Sequence, residues 1–204
     1  MAAEPNRLFF ALWPDDRTRS ALADAARKLQ ARLQPGGRLE KPERLHATLL
    51  FLGDAVPPRE EAAAMQVASL LKADPFTLTI DRAGTFSRRS KLWWLGSAQP
   101  SREALALHDA LRARLRVAGV SYDLKSFTPH LTFLRDAGIA LAPTPIEPVS
   151  WTVNEFVLVR SQLAPQPAEY RVIGRWPLTP EMTKQSGSAQ LDLWENATKR
   201  SDLN

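Results

Sequence analysis

Short apolar runs and helical periodicities alternate along the chain. Arg7-Leu8-Phe9-Phe10-Ala11-Leu12 is a compact apolar run, and so short a run favours a buried strand over a helix. Asp15 or Asp16 offers a cap for the helix that follows. Leu22, Ala25 or Ala26, Leu29 and Leu33 return at helical spacing, and Pro35-Gly36-Gly37 stops them. A second strand is expected over 45–52, ending at Gly53-Asp54. Pro57-Pro58-Arg59-Glu60-Glu61 opens a helix reaching Leu71, with proline in its first turn. Phe76-Thr77-Leu78-Thr79-Ile80 alternates as a strand does, a loop with Gly84 follows, and another strand is expected at 91–95. The segment Ser101 to Ala118 is the clearest amphipathic helix, with Leu107, Leu111 and Leu115 four apart and Gly119 behind them. Strands near 130–134, 151–160 and 169–176 complete a helix–strand mixture in which antiparallel pairing is expected. Periodicity stops at Glu181. The expectation is one domain over 1–180 and a mobile polar extension over 181–204.

Composition narrows the class. Apolar residues at 44% and charged residues at 24% fit a globular domain, which excludes a largely disordered chain, a collagen-like repeat and a membrane bundle. The longest apolar runs, such as Leu8 to Trp13, fall far short of the roughly 18 residues that span a bilayer. The start, Met1-Ala2-Ala3-Glu4-Pro5-Asn6, lacks a basic and apolar secretion signal, so a cytoplasmic address without membrane contact is expected. With no cysteine, disulfides, thiolate metal sites and a cysteine nucleophile are excluded. The net charge of +5 suits a polyanionic partner without identifying one.

The chemistry lies in the histidines. There are three, and two share one local text: His46-Ala47-Thr48-Leu49-Leu50 and His130-Leu131-Thr132-Phe133-Leu134. Both read His-x-Thr followed by two large apolar residues. Thr at +2 from two of three histidines is about a 1-in-100 coincidence in a chain of this composition. In a strand, residues i and i+2 share a face, so each imidazole has a hydroxyl alongside. Two such strands at one cleft bring together an acid, a base and two hydrogen-bond donors for phosphate oxygens. That set suits in-line phosphoryl transfer without a metal. A single His-x-Thr is ordinarily a half-buried histidine beside a β-former; core packing gives no reason for the duplicate. No cluster of histidines and acids at ligand spacing supplies the three or four ligands of a metal site. His108, inside the third helix, has no Thr at +2 and is expected at the core boundary. Arg135 should alternate away from the cleft unless a strand end or bulge swings it in. Arg88, Arg89 and Lys91 flank Trp93-Trp94, a basic and aromatic mixture of the kind that holds nucleic acid, although such a run is ordinarily a solvated hairpin loop next to core tryptophans. Phe9-Phe10 read as core.

Paired His-x-Thr motifs resemble the two-histidine phosphoesterase superfamily. The surrounding text is similar to its RNA 2′,3′-cyclic phosphodiesterases, the LigT-like proteins once called 2′-5′ RNA ligases. The similarity rests on Arg7–Leu12, Leu45–Gly53, Trp93-Trp94-Leu95-Gly96, Pro129–Arg135 and Tyr170-Arg171 through Arg175-Trp176-Pro177-Leu178, in the family's order. It implies an α+β bilobal fold, two pseudo-symmetric lobes with antiparallel sheets and outer helices, and both motifs in the cleft between them. It also implies hydrolysis of RNA 2′,3′-cyclic phosphate ends to 2′-phosphate with no cofactor and no metal, and a reverse 2′-5′ ligation. By the family pattern His46 is the proton donor and His130 the proton acceptor, while Thr48, Thr132 and Arg135 bind substrate. The partners implied are RNA ends or small cyclic nucleotides, met by a monomer. Another cyclic or 2′-5′ linked nucleotide, or RNA binding without catalysis, are the competing readings.

Overall fold

The computed structural model describes residues 7–87, 89–99, 101–162 and 169–179. Arg88 and the expected extension at 181–204 lie outside the described residues. The chain runs β1 (Arg7–Leu12), α1 (Asp16–Leu33), β2 (Arg38–Leu39), a 3-10 turn at Pro42–Arg44, β3 (Ala47–Gly53) and α2 (Pro58–Leu70). It continues with β4 (Phe76–Gly84), β5 (Trp93–Gly96), α3 (Arg102–Val117), β6 (His130–Arg135), β7 (Thr144–Val153), β8 (Glu155–Gln162) and β9 (Glu169–Pro177). Local chemistry starts each helix. Asp15 accepts the Thr18 N–H at 2.8 Å, Ser101 accepts the Ala104 N–H at 3.1 Å, and Pro58 opens the second helix.

The strands form one antiparallel sheet in the order β7-β4-β5-β6-β3-β1-β8-β9, with β2 added beside β6. Its two halves, β7-β4-β5-β6 and β3-β1-β8-β9, meet at a single bridge between Ala47 and Leu131. These halves are the two lobes, joined edge to edge at one point rather than as separate sheets. Helices cross between them. α1 lies between β1 and β3 in sequence yet packs on β7 and β6; α3 lies between β5 and β6 yet packs on β3, with α2 against it and β9. Neither lobe is closed without a helix from the other's strand sequence.

Burial explains the apolar runs. Leu8, Phe10 and Leu12 enter the main core with Phe156 and Leu158, while Phe9 and Ala11 join Val157 and Val159 in a small cluster on the opposite face. β1 and β8 are therefore covered on both faces and read as continuous apolar text rather than alternation. The strand expected over 151–160 is two strands, broken at Asn154, whose carbonyl accepts the Leu178 N–H at 2.7 Å. The first part of β7 carries Pro145 and Pro148, which hide a strand signal but are tolerated at a sheet edge. Among the described residues no helix is long and apolar enough to cross a membrane.

Candidate active site

The bridge that joins the lobes pairs the middle residues of the two His-x-Thr motifs. Ala47 and Leu131 both point into the core, at 1% and 0% exposure. The antiparallel register through them therefore sets His46 across from Thr132 and Thr48 across from His130, all on the cleft face. A pseudo-twofold axis through this bridge relates the motifs. Each strand then carries a bulge at the same place. On β3, Ala11 faces Thr48 and Phe10 faces Leu50, leaving Leu49 unpaired on β1's ladder. On β6, Trp94 faces Thr132 and Trp93 faces Leu134, leaving Phe133 extra. The bulge lets two successive residues face the core: Leu49 and Leu50 in one lobe, Phe133 and Leu134 in the other. This is the physical reason that both motifs end in two large apolar residues. It also returns the next residue to the cleft, Phe51 in one motif and Arg135 in the other, and both line the cavity there.

That cavity, about 310 Å³, is lined by His46, Thr48, His130, Thr132 and Arg135 together, so the structure brings all five expected site residues to one place. The histidines are held alike. Each ring uses Nδ1 against the carbonyl oxygen two residues earlier, His46 on Arg44 at 2.6 Å and His130 on Thr128 at 2.7 Å. A carbonyl only accepts, so Nδ1–H donates and the neutral ring keeps Nε2 as a bare acceptor. Their surroundings differ. Phe9 and Trp13 stack on His46 at centroid distances of 5.0 and 5.6 Å, and Tyr170 meets it edge-on at 5.4 Å. Burial pushes His46 from 6.5 down to about 4, against an upward pull from the Arg44 carbonyl and Glu40. Burial also lowers His130, opposed by its bond to Thr128.

An acid that no motif points to completes the cleft. Glu40, 5% exposed in its side chain, accepts from Arg135 Nε and lies 3.5 Å from Arg44 Nε. Arg44 in turn lies over the Tyr170 ring at 4.6 Å. The Glu40 N–H donates to the Phe133 carbonyl at 2.8 Å, directly at the bulge. Gly37 makes this approach feasible: at φ +78°, a Cβ there would stand 2.4 Å from the Arg135 carbonyl oxygen. β2 and the turn after it are too short to leave a periodic signal, so Glu40 and Arg44 carried no mark in the sequence.

The family model described as the 2′-5′ RNA ligase superfamily matches residues 14–165, which contain both motifs. The chain belongs to the 2′-5′ RNA ligase superfamily. It is 35% identical over 179 residues to the RNA 2′,3′-cyclic phosphodiesterase of Escherichia coli strain K12, covering 87% of this chain and 99% of that one. The protein of the same description from Thermus thermophilus is 32% identical over 197 residues, 86% of this chain and 91% of that one. In three dimensions, Escherichia coli LigT crystallised with 3′-AMP superposes with a TM-score of 0.74 at 35% identity, across 87% of this chain and all of that one. The bilobal α+β fold expected from the sequence is the fold of these relatives.

Other residues of this superfamily member separate into core and cleft. His108 is 3% exposed, stacks on Phe127 at 4.6 Å and contacts Asp109 through Nδ1 at 2.9 Å, away from the cavity. Phe10 packs in the main core as expected, whereas Phe9, though buried, forms the floor under His46. Trp93 is core, its indole N–H donating to the Ile139 carbonyl at 2.9 Å. Trp94 pairs with Thr132 and so shares the cleft face. Gly96 pairs with His130 there; a Cβ on it would meet the Trp94 ring at 3.2 Å. Among the described residues no three of His, Cys, Asp or Glu are grouped to hold a metal ion.

Proposed function

We propose that the protein hydrolyses RNA 2′,3′-cyclic phosphate ends to 2′-phosphates by paired-histidine acid–base catalysis. The observation that carries the reading is the matched pair of Nδ1-to-carbonyl clamps, which leaves one Nε2 from each lobe for proton transfer at one cavity with two threonine hydroxyls. His130 Nε2 takes a proton from water as the water oxygen attacks phosphorus. The bond from phosphorus to the 3′ oxygen breaks in line, and protonated His46 delivers the proton that this oxygen needs. Thr48 and Thr132 donate to the non-bridging oxygens, and Arg135 supplies positive charge beside them. A 5′-hydroxyl attacking in place of water, with the same 3′ oxygen leaving, gives the 2′-5′ linkage in the same cleft.

Glu40 favours the charged, proton-donating form of His46, while burial opposes it and holds the ring at about 4 in the free protein. With the protein's own groups alone, burial keeps both rings neutral near pH 7. A bound phosphate monoester or diester anion raises both, and Glu40 acts on His46 in addition. The donor's proton is therefore stabilised with the substrate in place. The reading carries with it a monomer that meets RNA ends in the cytoplasm. The test is product analysis. RNA ending in a 2′,3′-cyclic phosphate, incubated with the protein and excess chelator, yields an RNA 2′-phosphate; a 3′-phosphate product, or none, overturns the reading.

A further inference from the structure

Outside the cavity, on the His130 side, stands an exposed aromatic side chain that the chemistry above does not use. Phe86 is 55% exposed, the one aromatic among the exposed large apolar residues described. Its ring meets His130 edge-on at 4.7 Å and lies tilted against Trp94 at 5.6 Å. The loop that carries it is fastened: Thr85 donates to the Leu141 carbonyl through its backbone N–H at 3.0 Å and its hydroxyl at 3.1 Å. The Ser90 N–H closes a turn on the Ser87 carbonyl at 3.0 Å. Arg89 and Lys91, both exposed, follow in the same loop.

We propose that Phe86 is a stacking platform for the nucleobase next to the terminal one, so that the cleft reads an RNA strand and not only its cyclic end. The inference rests on the function proposed above. The cavity is at the small end of ligand pockets, and Phe9, Arg44, Phe51 and Tyr170 wall it on the β3 side; it holds the terminal nucleotide. Phe86 is not among its lining residues, so the first base outside the cavity is the one within its reach. An aromatic face held in place costs little entropy to use, and every base has a matching π-face. Arg89 and Lys91 supply charge for the strand's phosphates.

A substrate-by-variant cycle tests this. Dinucleotide 2′,3′-cyclic phosphates with a normal or an abasic first nucleotide are compared on the wild type and on Phe86→Ala. In the wild type the abasic sugar lowers kcat/KM by about 5- to 150-fold, the ~1–3 kcal/mol of one base–aromatic stack. In Phe86→Ala that penalty disappears, and in Phe86→Tyr it returns. Equal penalties in wild type and Phe86→Ala overturn the proposal. Should the wild type leave cyclic ends intact, the functional reading fails by itself. The same cycle is then run on binding of the corresponding 2′-phosphate dinucleotides by fluorescence competition, with the same two outcomes deciding Phe86.

Discussion

His46 and His130 each clamp the carbonyl two residues back, precede a threonine by two and flank one end of the same bridge, yet their neighbours have little in common. Phe9, Trp13 and Tyr170 crowd His46, with Glu40 and two arginines behind; His130 is half-buried and has Phe86 at its edge. The residue five beyond each histidine shows the same contrast. The bulges deliver it to the cleft in both lobes, but one delivers Phe51 and the other Arg135. Repeated backbone geometry thus fixes where two imidazoles stand, and unrepeated side chains decide what each does. A phosphoryl transfer that needs an acid on one side and a base on the other needs both layers, because a perfectly symmetric cleft would give the two rings one common pKa environment.

The most severe way to break the comparison is to remove the rings. His46→Ala and His130→Ala are each expected to lower kcat by at least ~10²-fold, and the double variant to cost far less than the product of the two. A substrate whose leaving group departs without a proton sharpens the contrast: it rescues His46→Ala and leaves His130→Ala slow. Rescue of His130→Ala in its place reverses the roles.

Next in size are the anion contacts. Thr48→Ala and Thr132→Ala each remove a hydroxyl donor to charge, an expected loss of about 1.5–3 kcal/mol, or roughly 10- to 150-fold in kcat/KM. Because the bridge register sets each threonine across from the other lobe's histidine, the two losses should be similar in size despite the unlike surroundings. A large effect from one and none from the other would show that the phosphate leans on a single lobe. Arg135→Ala is expected to fall in the same range, whereas Phe51→Ala, its counterpart across the axis, should raise KM and spare kcat. Steady-state kinetics of the four variants on one cyclic dinucleotide separates these outcomes.

What was legible in the sequence follows the same two layers. The helices around Leu22–Leu29 and Leu107–Leu115 were readable because burial imposes a period on them, and the strands at 7–12 and 130–134 because burial leaves compact apolar runs there. The histidines and threonines were readable because the pseudo-twofold repeats them. Their mutual register was not, since one bridge between residues 84 positions apart (47 and 131) leaves no local trace. Strict alternation put Arg135 on the wrong face, and the bulge at Phe133 corrects it; two adjacent apolar residues after each threonine were its only sign. Glu40 and Arg44 sit on a two-residue strand and a single turn, and their meaning comes entirely from a contact with Arg135. Long-range polar contacts of this kind write nothing into local periodicity.

The mildest test touches only the charge that separates the lobes. The pH profile of kcat/KM reports the free protein, and the coupled pair gives macroscopic limbs. Burial lowers both rings, His46 to about 4 and His130 below its ordinary 6.5, so the pair becomes singly protonated only in acid; the productive arrangement, with that proton on His46, is the one that Glu40 favours and burial opposes. The bell is therefore expected on the acid side of 6.5, and the kcat profile, measured with the anion bound, at higher pH. Glu40→Gln keeps an oxygen for Arg135 but removes the negative charge. Glu40 raises His46, so its loss moves the His46 limb to lower pH, and His130, on which Glu40 is not a cause of shift, keeps its own limb. A one-sided shift of this sort assigns the asymmetry to Glu40. Equal movement of both limbs, or of neither, would place the difference between the lobes in the aromatic rings around His46 instead, and Tyr170→Ala would then be the variant that moves the limb.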